Sequence, residues 1–125
     1  MALTWTGSPE TRLAESVRVS DESWALLIDG QIEAVFGLVR YPEWSVPWMR
    51  CSAAVGLHAR ELLAHGHAWL NSVRDPRAPF ANTVAASNAE AHKMLVRLGF
   101  VIGDTAPEQG PPGSFRYFYE VPRRV

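Results

Sequence analysis

The sequence predicts an α/β layer fold in which helices pack on a mixed, mostly antiparallel sheet. Two observations carry this. Apolar runs with strand character flank an Asp29-Gly30 pair. Two segments with helical apolar spacing, 54–74 and 87–98, then alternate with short strand-like segments. Helices interleaved with strands bury one face of a sheet.

The elements follow in order. Residues 9–17 read as one short helix: Ser8 caps it, Pro9 suits its first position, and Leu13, Ala14 and Val17 form a narrow stripe. Residues 23–28 read as a strand. Asp29-Gly30 is a two-residue hairpin turn, because both residues tolerate positive φ. The returning strand spans 32–39, with Ile32, Ala34, Phe36 and Leu38 on one face. Residues 46–51 read as a third strand, weakened by Pro47. In the helix over 54–74, Val55, Ala59, Leu62, Gly66, Trp69 and Val73 share a face. Gly66 within it suits a close approach by a neighbouring backbone. A strand over 80–85 follows, then a helix over 87–98 with Ser87 and Glu90 as a capping box, and Gly99 as its stop. Ala91, Met94, Leu95 and Leu98 form its buried stripe. Strands start at Phe100 and at Phe115, the last running to Val121.

Composition bounds the function. With 125 residues the chain makes one domain: a short N-terminal segment over 1–19, a core over 20–121 and a basic tail over 122–125. Twelve Lys and Arg against thirteen Asp and Glu give a net charge of -1, which argues against a nucleic-acid partner. No apolar run reaches the roughly 18–20 residues that span a bilayer. Residues 1–10 lack a basic start followed by an apolar stretch, so a secretory leader is not expected. One cysteine, Cys51, rules out an internal disulfide and a cysteine zinc site, and it reads as an inert, at least partly buried thiol. His58, Glu61 and His65 share a helix face but lack the His-Glu-x-x-His pattern, so no metal site is expected. Trp5, Trp44 and Trp48 lie outside the clear helices, the last two in a Pro-flanked loop, and serve either as a core lid or as interface anchors.

Residues 84–100 read VAASNAEAHKMLVRLGF. Asn88, Ala91 three residues on, and Leu98-Gly99-Phe100 ten to twelve on resemble the late motif of the Gcn5-related N-acetyltransferase superfamily. The element order from about residue 20 to 121 fits the same resemblance. It implies an acyl-CoA N-acyltransferase fold, N-terminally shortened, with acetyl-CoA as cofactor. Within the superfamily the chain is most similar to small acetyltransferase-like, internal virion proteins of short-tailed phages. The cues are Ser23-Trp24, Val46-Pro47-Trp48-Met49, Asn82-Thr83-Val84 and His92.

The resemblance places the pyrophosphate loop at Arg50-Cys51-Ser52-Ala53-Ala54-Val55-Gly56. Arg50, Ser52, Ala53, Ala54, Gly56 and Asn88 are the implied cofactor-binding residues. The glycine spacing is incomplete, which weakens phosphate binding by backbone N–H groups. The acid Tyr of the family falls seven residues after the motif Asn, where this chain has Leu95. Tyr117 is the substitute acid, although it and Tyr119 also read as sheet residues. Glu33 is the base, although a strand carboxylate of this kind is expected at the surface. The implied function is a virion-associated or accessory protein with weak or lost acetyltransferase activity. An active acetyl-CoA-dependent N-acetyltransferase is one alternative, and a host-directed inhibitor module is another. Other virion proteins or a second copy are the expected partners, in the host cytoplasm or the assembled particle.

Overall fold

The computed structural model describes residues 20–51 and 58–121. The helix expected over 9–17, most of the loop after Arg50 and the basic tail lie outside the described residues.

Six strands and two helices follow in the expected order: β1 Glu22–Ile28, β2 Gln31–Arg40, β3 Ser45–Cys51, α1 Ala59–Val73, β4 Ala81–Ala85, α2 Ala89–Arg97, β5 Val101–Thr105 and β6 Phe115–Tyr119. The strands form two three-stranded sheets, ordered β1-β2-β3 and β4-β6-β5. Every pairing within them is antiparallel. At the join, β3 and β4 run parallel and meet at the Ser45–Phe80 bridge.

Local chemistry explains the elements. Asp29 and Gly30 both take positive φ, 52° and 79°, as a tight hairpin turn requires. The β1–β2 register shifts between Leu26 and Leu27, leaving Glu33 as the extra residue of a bulge. Pro47 sits inside β3, not at its end. Its carbonyl faces β4, so the N–H it lacks would also have faced β4, and the β2–β3 ladder is unharmed. Trp48 is therefore a strand residue, as the strand expected over 46–51 requires, rather than part of the Pro-flanked loop. Its indole lies over Gly37 and donates to Ser20 Oγ at 2.6 Å.

Helix α2 begins one residue later than the capping box requires. Asn88 is the N-cap, accepting the Ala91 N–H at 3.1 Å, and the Ser87–Glu90 box is not the cap. Its end is a Schellman motif. The Gly99 N–H bonds Val96 C=O, the Phe100 N–H bonds Leu95 C=O, and Gly99 takes φ 96°. Leu95 and Phe100, paired by that motif, both join the main core.

Both helices cover the same face of the two sheets. Leu70 and Val73 of α1 pack with Leu38, Phe80, Phe100 and Phe118, joined by Leu95 and Leu98 of α2. A second cluster joins Ala34 and Leu62, with Met49, Cys51 and Met94 against it. Gly66 lets α2 approach, although what it meets is a side chain rather than backbone: a Cβ there would lie 3.2 Å from Leu98 Cδ2. Glu120 locks the join from below. It accepts the Phe80 N–H at 3.0 Å and pairs with Arg74 at 3.0 Å, whose guanidinium lies over the Phe80 ring.

Gly37 is the least replaceable glycine of the first sheet. An added Cβ would lie 2.6 Å from Glu22 O and 2.7 Å from the Trp48 ring. Gly37→Ala is expected to cost about 1–3 kcal/mol of stability, read from urea unfolding.

Candidate functional site

The site is the cleft that opens where β3 and β4 part. At its closed end Ser45 is fully buried. Its N–H donates to Pro79 C=O at 3.0 Å and its hydroxyl to Ala78 C=O at 2.9 Å. Past this bridge the strands make no ladder, and the sheet order breaks between them.

The two cleft edges follow from strand alternation. On β3 the main-chain groups of Ser45 and Pro47 point at β4, so those of Met49 do too. The Met49 carbonyl accepts the Arg50 guanidinium at 3.1 Å, and its N–H is presented to the cleft. At the two ends of β4, Phe80 C=O accepts the Glu120 N–H and the Ala86 N–H donates to Ser114 C=O, the residues that follow and precede β6. Thr83 and Ala85 therefore face β3. The Thr83 N–H is taken by its neighbour's Asn82 Oδ1 at 2.7 Å. The Ala85 carbonyl accepts the Asn88 N–H and His92 Nε2, both at 3.0 Å, so His92 carries its proton on Nε2 in this bond. Thr83 C=O and Ala85 N–H remain as cleft-facing groups. His92, Lys93, Val96 and Arg97 of α2 line a shallow groove.

The structure separates several residues that the sequence grouped. Arg50 sits on β3 with its side chain turned to the Met49 carbonyl. Ser52, Ala53, Ala54 and Gly56 lie outside the described residues. Asn88 is at the start of α2, its carboxamide oxygen engaged as the cap. Glu33, expected at the surface, is buried at 4% exposure, because the bulge places it inside the fold. Tyr117 is on β6, opposite Thr83, and its hydroxyl donates to Glu108. Strands β3 and β4 lie between Glu33 and Tyr117. Two strand spacings, about 10 Å, and the cleft itself separate the pair, which keeps them from touching one reacting atom. Leu95 is half-buried and packs against the core.

Electrostatics sharpen these roles. The bond to Glu108 raises the Tyr117 pKa above the usual phenol range, which makes it a poorer acid. The same bond lowers the Glu108 pKa. Burial pushes the Cys51 thiol up, against a smaller opposing effect of Arg50. A half-buried thiol of this kind stays protonated and unreactive at neutral pH. Among the described residues, no three His, Cys, Asp or Glu side chains are placed to share a metal ion. Among them, too, no helix is long and apolar enough to cross a membrane.

Sequence reasoning passed over the role of Asn82. The signal was there: Asn is depleted in strands, and Asn82 interrupts an otherwise strand-forming run.

No protein-family model and no curated protein matches the sequence. Solved structures match the fold. The ribosomal-protein-S18-alanine N-acetyltransferase of Escherichia coli superposes with a TM-score of 0.64 at 17% identity, covering 98% of this chain and 81% of its own. An IAA acetyltransferase of Bacillus cereus gives a TM-score of 0.65 at 14% identity, covering 90% and 85%. The Campylobacter jejuni N-acetyltransferase PseH, solved with acetyl coenzyme A, gives 0.58 at 16%, covering 89% and 76%. The fold is that of the Gcn5-related N-acetyltransferases.

The Tyr117–Glu108 contact has a predicted pH window. A raised Tyr pKa contributes stability below the unfolded phenol pKa, lost as pH rises through the folded one. A lowered Glu pKa contributes above the unfolded carboxylate pKa, lost as pH falls through the folded one. The contact is therefore complete from mildly acidic to mildly alkaline pH. Absorbance titration of the phenols is expected to show one Tyr ionising late, and Glu108→Gln is expected to bring it back toward the others.

Proposed function

We propose that this chain binds acetyl-CoA in the cleft between β3 and β4 and transfers acetyl groups slowly or not at all. The observation that carries the reading is the pair of unlike cleft edges: the Met49 N–H on one side, Thr83 C=O and Ala85 N–H on the other. An extended arm with two amides, such as pantetheine, matches such edges as an inserted strand would. Arg50 and the segment holding Ser52, Ala53, Ala54 and Gly56 would hold the pyrophosphate where α1 begins. Bound there, the cofactor supplies an activated acetyl thioester.

The chain's own groups serve the binding better than the chemistry. Leu95, at the position where the family motif has its acid Tyr, is a half-buried apolar residue packed against the core. Tyr117 holds its proton against the Glu108 carboxylate. Glu33, the base of the sequence reading, is buried and lies on the other side of the cleft from Tyr117. A missing general acid removes about 10²–10⁴-fold of rate.

Calorimetry with acetyl-CoA tests the binding half: a micromolar Kd is expected, and no heat at millimolar cofactor would sink the reading. Met49→Pro deletes one cleft N–H on the side away from β2 and is expected to weaken binding about tenfold. Thiol release with a panel of amines tests the other half. Turnover is expected at least about 10²-fold below a typical 10 s⁻¹.

A role as a phage virion-associated or accessory protein is the second reading. It is supported by the sequence cues and by Trp24, Tyr41 and Trp44, each more than half exposed. Exposed aromatics of this kind suit a protein partner, another virion protein or a second copy. Mass spectrometry of purified particles is expected to find the chain; its absence from them would leave a host-directed binding role.

A further inference from the structure

The break between the two sheets falls at one hydrogen-bonding step, and two residues prevent that step from forming. A parallel ladder started by the Ser45–Phe80 bridge continues by strict alternation. Its next rung would pair Pro47 with Asn82. The first bond of that rung runs from residue 47 N–H to Ala81 C=O. Pro47 has no N–H to give. The second runs from Thr83 N–H to Pro47 C=O. Here the two groups are present but do not meet. The Asn82 carboxamide stands between them: its Oδ1 accepts the Thr83 N–H at 2.7 Å, and its Nδ2 donates to Pro47 C=O at 2.7 Å.

We infer that Asn82 is the positioning residue that opens the cleft, its carboxamide spliced into the Thr83–Pro47 rung as a spacer. A direct bond would draw the two strands to about 2.9 Å between donor and acceptor. The side-chain amide lengthens that span by its own width while leaving the Thr83 N–H and the Pro47 carbonyl satisfied, so this rung opens without unpairing either group. Satisfying both main-chain groups takes a side chain with an acceptor and a donor, which Asn supplies; an ionised Asp keeps the acceptor and its bulk but lacks the donor, and Val lacks both. Pro47 completes the device by forbidding the companion bond. The side chain reaches neither Met49 N–H nor Ala85 N–H, so its place is at the apex and not along the cleft. The consequence for cofactor binding rests on the reading given under Proposed function; the wedge itself does not.

The full chain with Asn82→Val tests it, Val being a good strand former of suitable size. The Thr83 N–H is expected to bond Pro47 C=O directly, seen as a scalar coupling across that hydrogen bond and as slowed amide exchange at Thr83. Acetyl-CoA affinity is expected to fall at least tenfold while the urea midpoint does not fall. Asn82→Asp keeps an acceptor for Thr83 but has no donor for Pro47, so the strands stay apart and affinity is expected to remain within about threefold of wild type. Asn82→Ala replaces the Val variant if that one fails to fold. A Thr83 amide that exchanges freely in the Val or Ala variant, with wild-type affinity, overturns the wedge. If the Thr83–Pro47 bond forms but even the wild-type chain binds no acetyl-CoA, the wedge stands and the cofactor reading falls.

Discussion

Ser45 holds the two halves of the protein together. Its N–H and hydroxyl both reach the segment leading into β4, at Pro79 and Ala78, from a fully buried position. A sheet joined along its whole length would have no cleft, and two sheets with no join would have no fixed angle between them. One tight junction followed by immediate divergence gives both continuity and an opening. Around it gather the Phe80 ring, the Arg74–Glu120 pair and the helix-side core, so the junction sits against the main core.

Helix α2 shows how structure and chemistry compete for the same side chains. The start of the helix needs a cap, and Asn88 serves it. The end needs a Schellman closure, and Leu95 and Phe100 supply its apolar contact. A motif that looks functional in one dimension is thus accounted for, residue by residue, by the physics of starting and stopping a nine-residue helix. Leucine at position 95 strengthens that closure and gives up a titratable group at the same point.

The order of elements was legible in the residues because each signal was local. Asp29-Gly30 made its turn and Gly99 its stop; the stripe of α1 buried Leu62 and Val73, whereas that of α2 is only half-buried. Errors arose where a long-range partner decided the outcome. Ser87 and Glu90 satisfied the capping pattern, but the chain begins its helix from Asn88. Glu33 had the composition of a surface residue, yet a bulge turned it inward. Pro47 read as a flaw in a strand until the neighbouring strand showed which side lacked the donor. The cleft was beyond reach for the same reason: it depends on how residue 47 faces residue 82, thirty-five positions away.

Helix α1 packs its side chains against both half-sheets. Leu62 anchors it to Ala34 in the first half-sheet, and Leu70 and Val73 anchor it to Phe80 and Phe118 in the second. The Trp69 indole adds a tie to Glu22 at the far strand. A helix fastened to both half-sheets ties the angle between them to its own packing, so the width of the opening and the core beneath it are set together.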